Sequence, residues 1–156
     1  MSFPAADRPD ALWTLLAIEE IKALKARYFR CLDLRLWDEL AGVFSEDVRF
    51  NRVDLDGNEE WLQGREAVMA YTVPALTPVR SVHHGHTPEI HVYPPDRATG
   101  VWAMEDRVWC PDGKPFVSMH GFGHYHETYS LTEAGWQISV RRLTRIHLEI
   151  VHAPEQ

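Results

Sequence analysis

Histidine carries the densest chemistry in this chain. Seven of the nine histidines lie between His83 and His126, most of them in two runs, His83-His84-Gly85-His86 and His120-Gly121-Phe122-Gly123-His124-Tyr125-His126. Imidazole changes charge near neutral pH and serves as general base, general acid or metal ligand. Tyr28 and Asp33 give the cluster direction, because they are ionisable side chains at the end of an otherwise apolar helical stretch. A tyrosine, an aspartate and a histidine meeting in one pocket make an acid–base site that needs no cofactor.

The spacing sets conditions on that site. Asp33 follows Tyr28 by five residues, a rotation of ~140° about a straight helix. Both reach one pocket only if Asp33 lies at or past the helix end; otherwise it faces solvent or caps the helix beginning near Trp37. Side chains alternate along a strand, so His84 and His86 share one face and His83 takes the other.

His-x-His occurs twice, as His84/His86 and His124/His126, with Glu89 and Glu127 close by. Same-face imidazoles on adjacent strands can hold zinc or iron. The pattern departs from a cupin barrel, since Glu89 follows His86 too closely and a second Pro-x-Gly…His motif is missing. No metal is expected, with a metal-dependent enzyme kept as an alternative.

Asp106 ends the run Trp102-Ala103-Met104-Glu105-Asp106, and alternation turns Glu105 and Asp106 opposite ways. A carboxylate turned into an apolar pocket can hold or deliver a proton near neutral pH. The competing reading pairs Asp106 with Arg107, Arg142 or Arg145. Arg145 could equally bind an acidic ligand group. The chain has no Gly-x-Ser-x-Gly elbow, no Walker loop, no Gly-x-Gly-x-x-Gly after a strand and no Cys-x-x-Cys. Gly121-Phe122-Gly123 reads as relief of crowding in a bent strand.

These residues must be positioned by helices in the first half and strands in the second. Asp10 is placed to cap a long helix whose buried face runs through Leu15, Ile18, Ile21, Leu24, Tyr28 and Leu32, with Lys22, Lys25 and Arg27 on other faces. Trp37, Leu40, Ala41 and Phe44 continue the period in a second helix. Residues 47–53 read as a strand, Asp56-Gly57 as a turn, and 64–73 as a third helix stopped by Pro74. Segments near 81–93, 101–109, 116–130 and 136–148 are rich in Val, Ile, Trp, Tyr and Thr between turn residues, the pattern of an antiparallel meander. The order implies an α+β fold with helices on one face of a curved sheet, enclosing an apolar pocket.

The bulk numbers narrow the function. A chain of 156 residues, 45% hydrophobic and 25% charged, suits one soluble globular domain over 1–156. A net charge of −7 lacks the basic face that a nucleic-acid binder needs. No apolar run approaches the ~20 residues of a spanning helix, so no membrane partner is expected. Residues 1–9 lack the pattern of a signal peptide. Cys31 and Cys110 make no disulfide framework, and Cys31 reads as a small buried hydrophobe. Together these point to the cytoplasm.

Ile18-Glu19-Glu20-Ile21 through Tyr28, Asp33, Trp37 and Leu40 to Phe44 resembles the first helices of the SnoaL-like division of the nuclear transport factor 2-like superfamily. So do Gly64-Arg65-Glu66-Ala67, His83-His84 opening a strand, and Gly135-Trp136-Gln137-Ile138 opening the last one. The resemblance covers about residues 12–148 and implies a cone-shaped α+β barrel, a curved antiparallel sheet packed on N-terminal helices. Within the division the chain looks most like the scytalone dehydratases and bile acid 7α-dehydratases. These pair an aspartate near the end of the first helix with a strand histidine, matched here by Asp33 and His83. The bile acid enzymes' tyrosine, second aspartate and last-strand arginine match Tyr28, Asp106 and Arg145. The first-strand tyrosine of both groups has no counterpart, since Phe50, Asn51 and Val53 stand there. His124 or His126 could stand in for the second histidine of scytalone dehydratases.

The resemblance implies a cofactor-free lyase (dehydratase) or isomerase working through an enolate. His83, oriented by Asp33, would take the proton, Tyr28 would hydrogen-bond the carbonyl oxygen, and Asp106 or protonated His83 would assist the departing hydroxyl. Arg145, His84, Trp102, Met104, Tyr125 and His126 would bind a bulky apolar carbonyl compound, polycyclic ones included. Polyketide cyclisation and a non-catalytic binding or assembly domain, as in dioxygenase β subunits, stay open as alternatives. Aromatics on the outer sheet face, and the oligomers formed by relatives, imply a homo-oligomer, dimer or trimer.

Overall fold

The computed structural model describes residues 10–154; the reading of residues 1–9 lies outside them. Helix α1 spans Ala11–Leu34, and Asp10 caps it by accepting from the Leu12 N–H at 3.0 Å. Its buried face is Ala17, Ile21, Leu24, Lys25, Tyr28, Cys31 and Leu32. Leu15 is exposed instead, because the stripe runs one residue behind the expected start. Lys25, expected on a polar face, is fully buried.

The chain turns at Arg35, in the left-handed conformation with φ 61°, into α2 (Trp37–Val43). Phe44 opens β1 (Phe44–Val53), so the strand begins earlier than its sequence suggests. A short strand, β2 (Glu59–Gln63), follows the Asp56-Gly57 turn and pairs antiparallel with β1. Its apolar residues are too few to have signalled it. Helix α3 (Arg65–Leu76) carries Pro74 inside its last turn rather than stopping before it. There the missing N–H costs only one bond near the helix end.

The meander follows as β3 (Arg80–Tyr93), β4 (Arg97–Trp109), β5 (Ser118–Thr132) and β6 (Gly135–Val151). The six strands lie in the order β2-β1-β6-β5-β4-β3. One expectation changes: β1 lies parallel to β6, so the sheet is mixed rather than wholly antiparallel. The long excursion through α3 and the meander brings β6 back beside β1 in the same direction, which no hairpin could do. Asn51, fully buried, stitches this parallel seam, with Oδ1 accepting from Leu143 N at 2.6 Å.

The core lies between α1 and the concave sheet face. There α1 sets Ile21, Leu24 and Tyr28 against Phe44, Val48, Tyr129, Trp136 and Ile138. Alternation along β5 decides what faces this core. Gly121, Gly123, Tyr125, Glu127 and Tyr129 are buried, while His124 is half-buried and His126 exposed on the other face. No helix among the described residues is long and apolar enough to cross a membrane.

Candidate active site

Asp33 lies in the last turn of α1, one residue before its end. It does not cap α2, whose N-cap is Leu36 with no side-chain bond. Its carboxylate is turned onto β3 instead. Oδ2 accepts the backbone N–H of His83 at 2.9 Å, Oδ1 accepts from Ser81 Oγ at 3.1 Å, and Oδ1 lies 2.7 Å from His83 Nδ1. An ionised carboxylate only accepts, so this contact assigns the proton to Nδ1 and leaves Nε2 as the basic atom.

Arg35 fastens the helix end. Its guanidinium donates to the carbonyls of Leu32 (2.9 Å), Asp33 (2.8 Å) and Val79, and to Ser81 Oγ (3.0 Å). It thus satisfies helix-terminal carbonyls that have no intrahelical partner and ties them to β3.

His83 lines a cavity of about 360 Å³ between the helices and the sheet, together with Tyr28, Asp106, Arg141 and Arg145. Leu32, Phe50, Tyr71, Leu76, Phe116 and Leu148 supply much of its apolar wall. Asp33 stands behind the imidazole, outside the lining. Tyr28 is 2% exposed and packs edge-on against Phe29, Phe44 and Tyr125. Burial pushes its phenol above the usual range, opposed by the Arg141 charge. Tyr28 therefore stands at the cavity wall as a protonated phenol.

His83 and Asp106 are directly paired across β3 and β4. Asp106 is not a lone acid, however. Arg145 grips it with two bonds, Nη1 to Oδ1 at 3.0 Å and Nη2 to Oδ2 at 2.9 Å. Such forked, charge-assisted pairs are strong and directional. Gly121 makes this one possible. It pairs with Asp106 on β4, and a Cβ there would overlap both the Asp106 carboxylate and the Arg145 guanidinium. The glycines of this run thus clear a path across β5, and a register shift at Phe122/Gly123 marks the bend.

Several expected binding residues lie elsewhere. His84 faces away from His83, half exposed, with Nδ1 3.6 Å from Glu105. His86 and His120 also approach Glu105, at 3.9 and 4.0 Å, on this outer face. His126 is outside too, its Nε2 3.0 Å from Thr144 Oγ1, and burial followed by the His124 charge lowers its pKa. His124 shares that face, so neither histidine reaches the cavity. Trp102, Met104 and Tyr125 are buried in a cluster with Leu143; Leu143 reaches the cavity wall, and the other three lie beneath it. Among the described residues, no three His, Cys, Asp or Glu side chains are arranged to hold a metal ion.

Two features escaped the sequence reading. The first is a buried polar chain. Lys25 Nζ donates to Glu127 Oε1 at 2.5 Å, Tyr129 Oη donates to Glu127 Oε2 at 2.6 Å, and Trp102 Nε1 donates to Tyr129 Oη at 2.8 Å. Lys25 also lies 3.8 Å from the centre of the Tyr125 ring and 4.1 Å from that of Tyr28. Burial lowers its pKa to about 8, against the opposing pull of Glu127. The second is Arg141, buried at the cavity wall. Its position is two alternations before Arg145 on the same strand, a spacing that puts both on one face.

The chain is similar to known proteins along most of its length. The model of a family described as the SnoaL-like domain matches residues 13–142. The probable cyclase FGR4 of Gibberella zeae is 22% identical over 139 residues, covering 84% of this chain and 92% of that protein. Among solved structures, Rv3472, a function-unknown protein of Mycobacterium tuberculosis, matches with a TM-score of 0.69 at 27% identity, covering 84% of this chain and 77% of that one. A provisionally named scytalone dehydratase of Novosphingobium aromaticivorans matches with a TM-score of 0.78 at 20% identity, covering 90% and 91%. At such identity the last likeness shows the fold alone.

Proposed function

This chain belongs to the SnoaL-like domain family, and on that footing we propose that it is an acid–base enzyme, a lyase or isomerase that forms an enolate from a carbonyl compound. The observation that carries this reading is the Asp33–His83 contact of 2.7 Å at the wall of a partly apolar cavity. The resemblance to a probable cyclase supports enolate chemistry of this kind.

In this reading His83 Nε2 removes a proton from the carbon beside the carbonyl. Asp33 fixes the tautomer and stabilises the imidazolium that forms. The Tyr28 hydroxyl donates to the carbonyl oxygen as negative charge develops there. Protonated His83 then returns its proton to a β-hydroxyl, which leaves as water while the enolate collapses to an enone. Asp106 is committed to Arg145, so the acid role falls to His83. In isomerisation the same proton returns to another carbon. In cyclisation the enolate attacks a carbonyl of the same molecule, the variant favoured by the likeness to FGR4.

The test is turnover of a panel of β-hydroxy ketones, followed by enone absorbance. His83→Ala and Asp33→Asn are each expected to lower kcat by ~10²-fold or more, the usual scale for a general base and its orienting group. Wild-type turnover in His83→Ala would refute the assignment.

A further inference from the structure

Not every charge around the cavity has an ion-pair partner. Arg145 is matched by Asp106 at 2.9 Å, and Lys25 by Glu127 at 2.5 Å. Arg35 sits beside Asp33 at the helix end. At the rim, Arg52 pairs with Glu60 in solvent, and exposed Asp54 is held by Asn58. Arg141 alone, among the described residues around the cavity interior, has no carboxylate within ion-pairing distance. Glu127 acts on both Lys25 and Arg141, leaving one carboxylate against two cations.

Arg141 is 7% exposed and lines the cavity. Its Nη1 donates to the Asn51 carbonyl at 2.8 Å, and its Cζ lies 4.3 Å from the centre of the Phe50 ring and 4.8 Å from that of Tyr125. Its Nε is buried and has no partner. Carbonyl and ring faces offset part of the cost of burying a cation but leave its charge uncancelled. A guanidinium has five donors in a planar fork; here one Nη1 donor goes to Asn51 and the Nε–H has no partner, and that fork fits a carboxylate.

We propose that Arg141 is the anion-binding residue of the cavity and that the substrate is a carbonyl compound bearing one carboxylate, held on the β6 wall. This rests on the cavity being the acid–base site, and it adds the substrate's charge. It also assigns to Arg141 the recognition of a group already charged before reaction, distinct from the enolate oxygen that Tyr28 meets.

The test uses a matched pair of probes, 2-naphthoate and its neutral isostere 2-naphthamide, with binding followed by calorimetry at neutral pH. Wild type is expected to bind naphthoate at least ~10-fold tighter than the amide, the scale of a charge-assisted pair. Arg141→Met should bring the two within about twofold of each other, Arg141→Lys should keep part of the preference, and His83→Ala should keep all of it. Equal affinity of the two probes in wild type, or no saturable naphthoate binding, would overturn the proposal even if Arg141→Met does not fold. So would a preference surviving in folded Arg141→Met. A His83→Ala variant that still turns over substrate would defeat the acid–base reading while leaving a charge preference standing. Lost turnover in that variant, with no charge preference in wild type, would defeat the anion site alone.

Discussion

Asp33 grips His83 twice, accepting from the backbone N–H with one oxygen and lying 2.7 Å from ring Nδ1 with the other. The first bond fixes where the strand lies against the helix end, and the second fixes which way the ring faces. Asp33→Asn should therefore separate two effects. The amide can still accept through one oxygen, so the fold should lose little stability, within ~1 kcal/mol. The imidazole loses its anionic partner, so turnover should fall ~10²-fold or more. Thermal melting and kcat measured on one preparation check both halves.

Gly121 is the second point of test. A methyl group there must displace the Asp106–Arg145 pair. Gly121→Ala should cost ~1–3 kcal/mol by overpacking, read as a lower midpoint in urea. Gly113, with open space around its Cβ position but φ of +72°, serves as a contrast, because its substitution strains the backbone without touching the site.

The buried Lys25–Glu127 pair predicts non-additive stability. Lys25→Met leaves an uncompensated carboxylate in the core and should cost ~3–5 kcal/mol, whereas Lys25→Met with Glu127→Leu should cost clearly less. A double-mutant cycle in urea measures the difference.

The same lysine has a pH signature. Its folded pKa is about 8, below the unfolded value of 10.5, with burial as the leading cause. Between these values the unfolded chain binds more protons, so this group makes stability rise with pH across about 8 to 10.5. Below pH 8 the cost of burying the charged lysine is present in full. Urea titrations at both ends of that window should show the rise in wild type relative to the Lys25→Met, Glu127→Leu variant, which lacks the group.

The sequence made the layout of helices and meander legible because periodicity reports burial directly. Tyr28, Asp33 and His83 stood out because ionisable groups break an apolar pattern. Lys25 and Arg141 did not, since an isolated lysine or arginine in a helix or strand looks like a solvated charge until its partner 102 or 90 residues away is known. His84, His126 and Tyr125 show another gap. Alternation tells which residues share a face, but which face is inward depends on the neighbouring layer, and an inward residue can lie below a cavity instead of in it. The parallel β1–β6 seam, too, depends on contacts far apart in the chain.

The most direct measurement of the central claim is proton exchange at the carbon beside the carbonyl. Dehydration, isomerisation and cyclisation consume the enolate differently, but all need its formation, so exchange tests His83 in each case. β-Hydroxy ketones of several sizes, incubated with enzyme in D₂O and monitored by proton NMR, are expected to lose the α-proton signal faster with wild type than in buffer. His83→Ala is expected to slow that loss ~10²-fold or more. Exchange at the wild-type rate in His83→Ala, or no exchange above buffer with wild type on any of these compounds, would contradict the account.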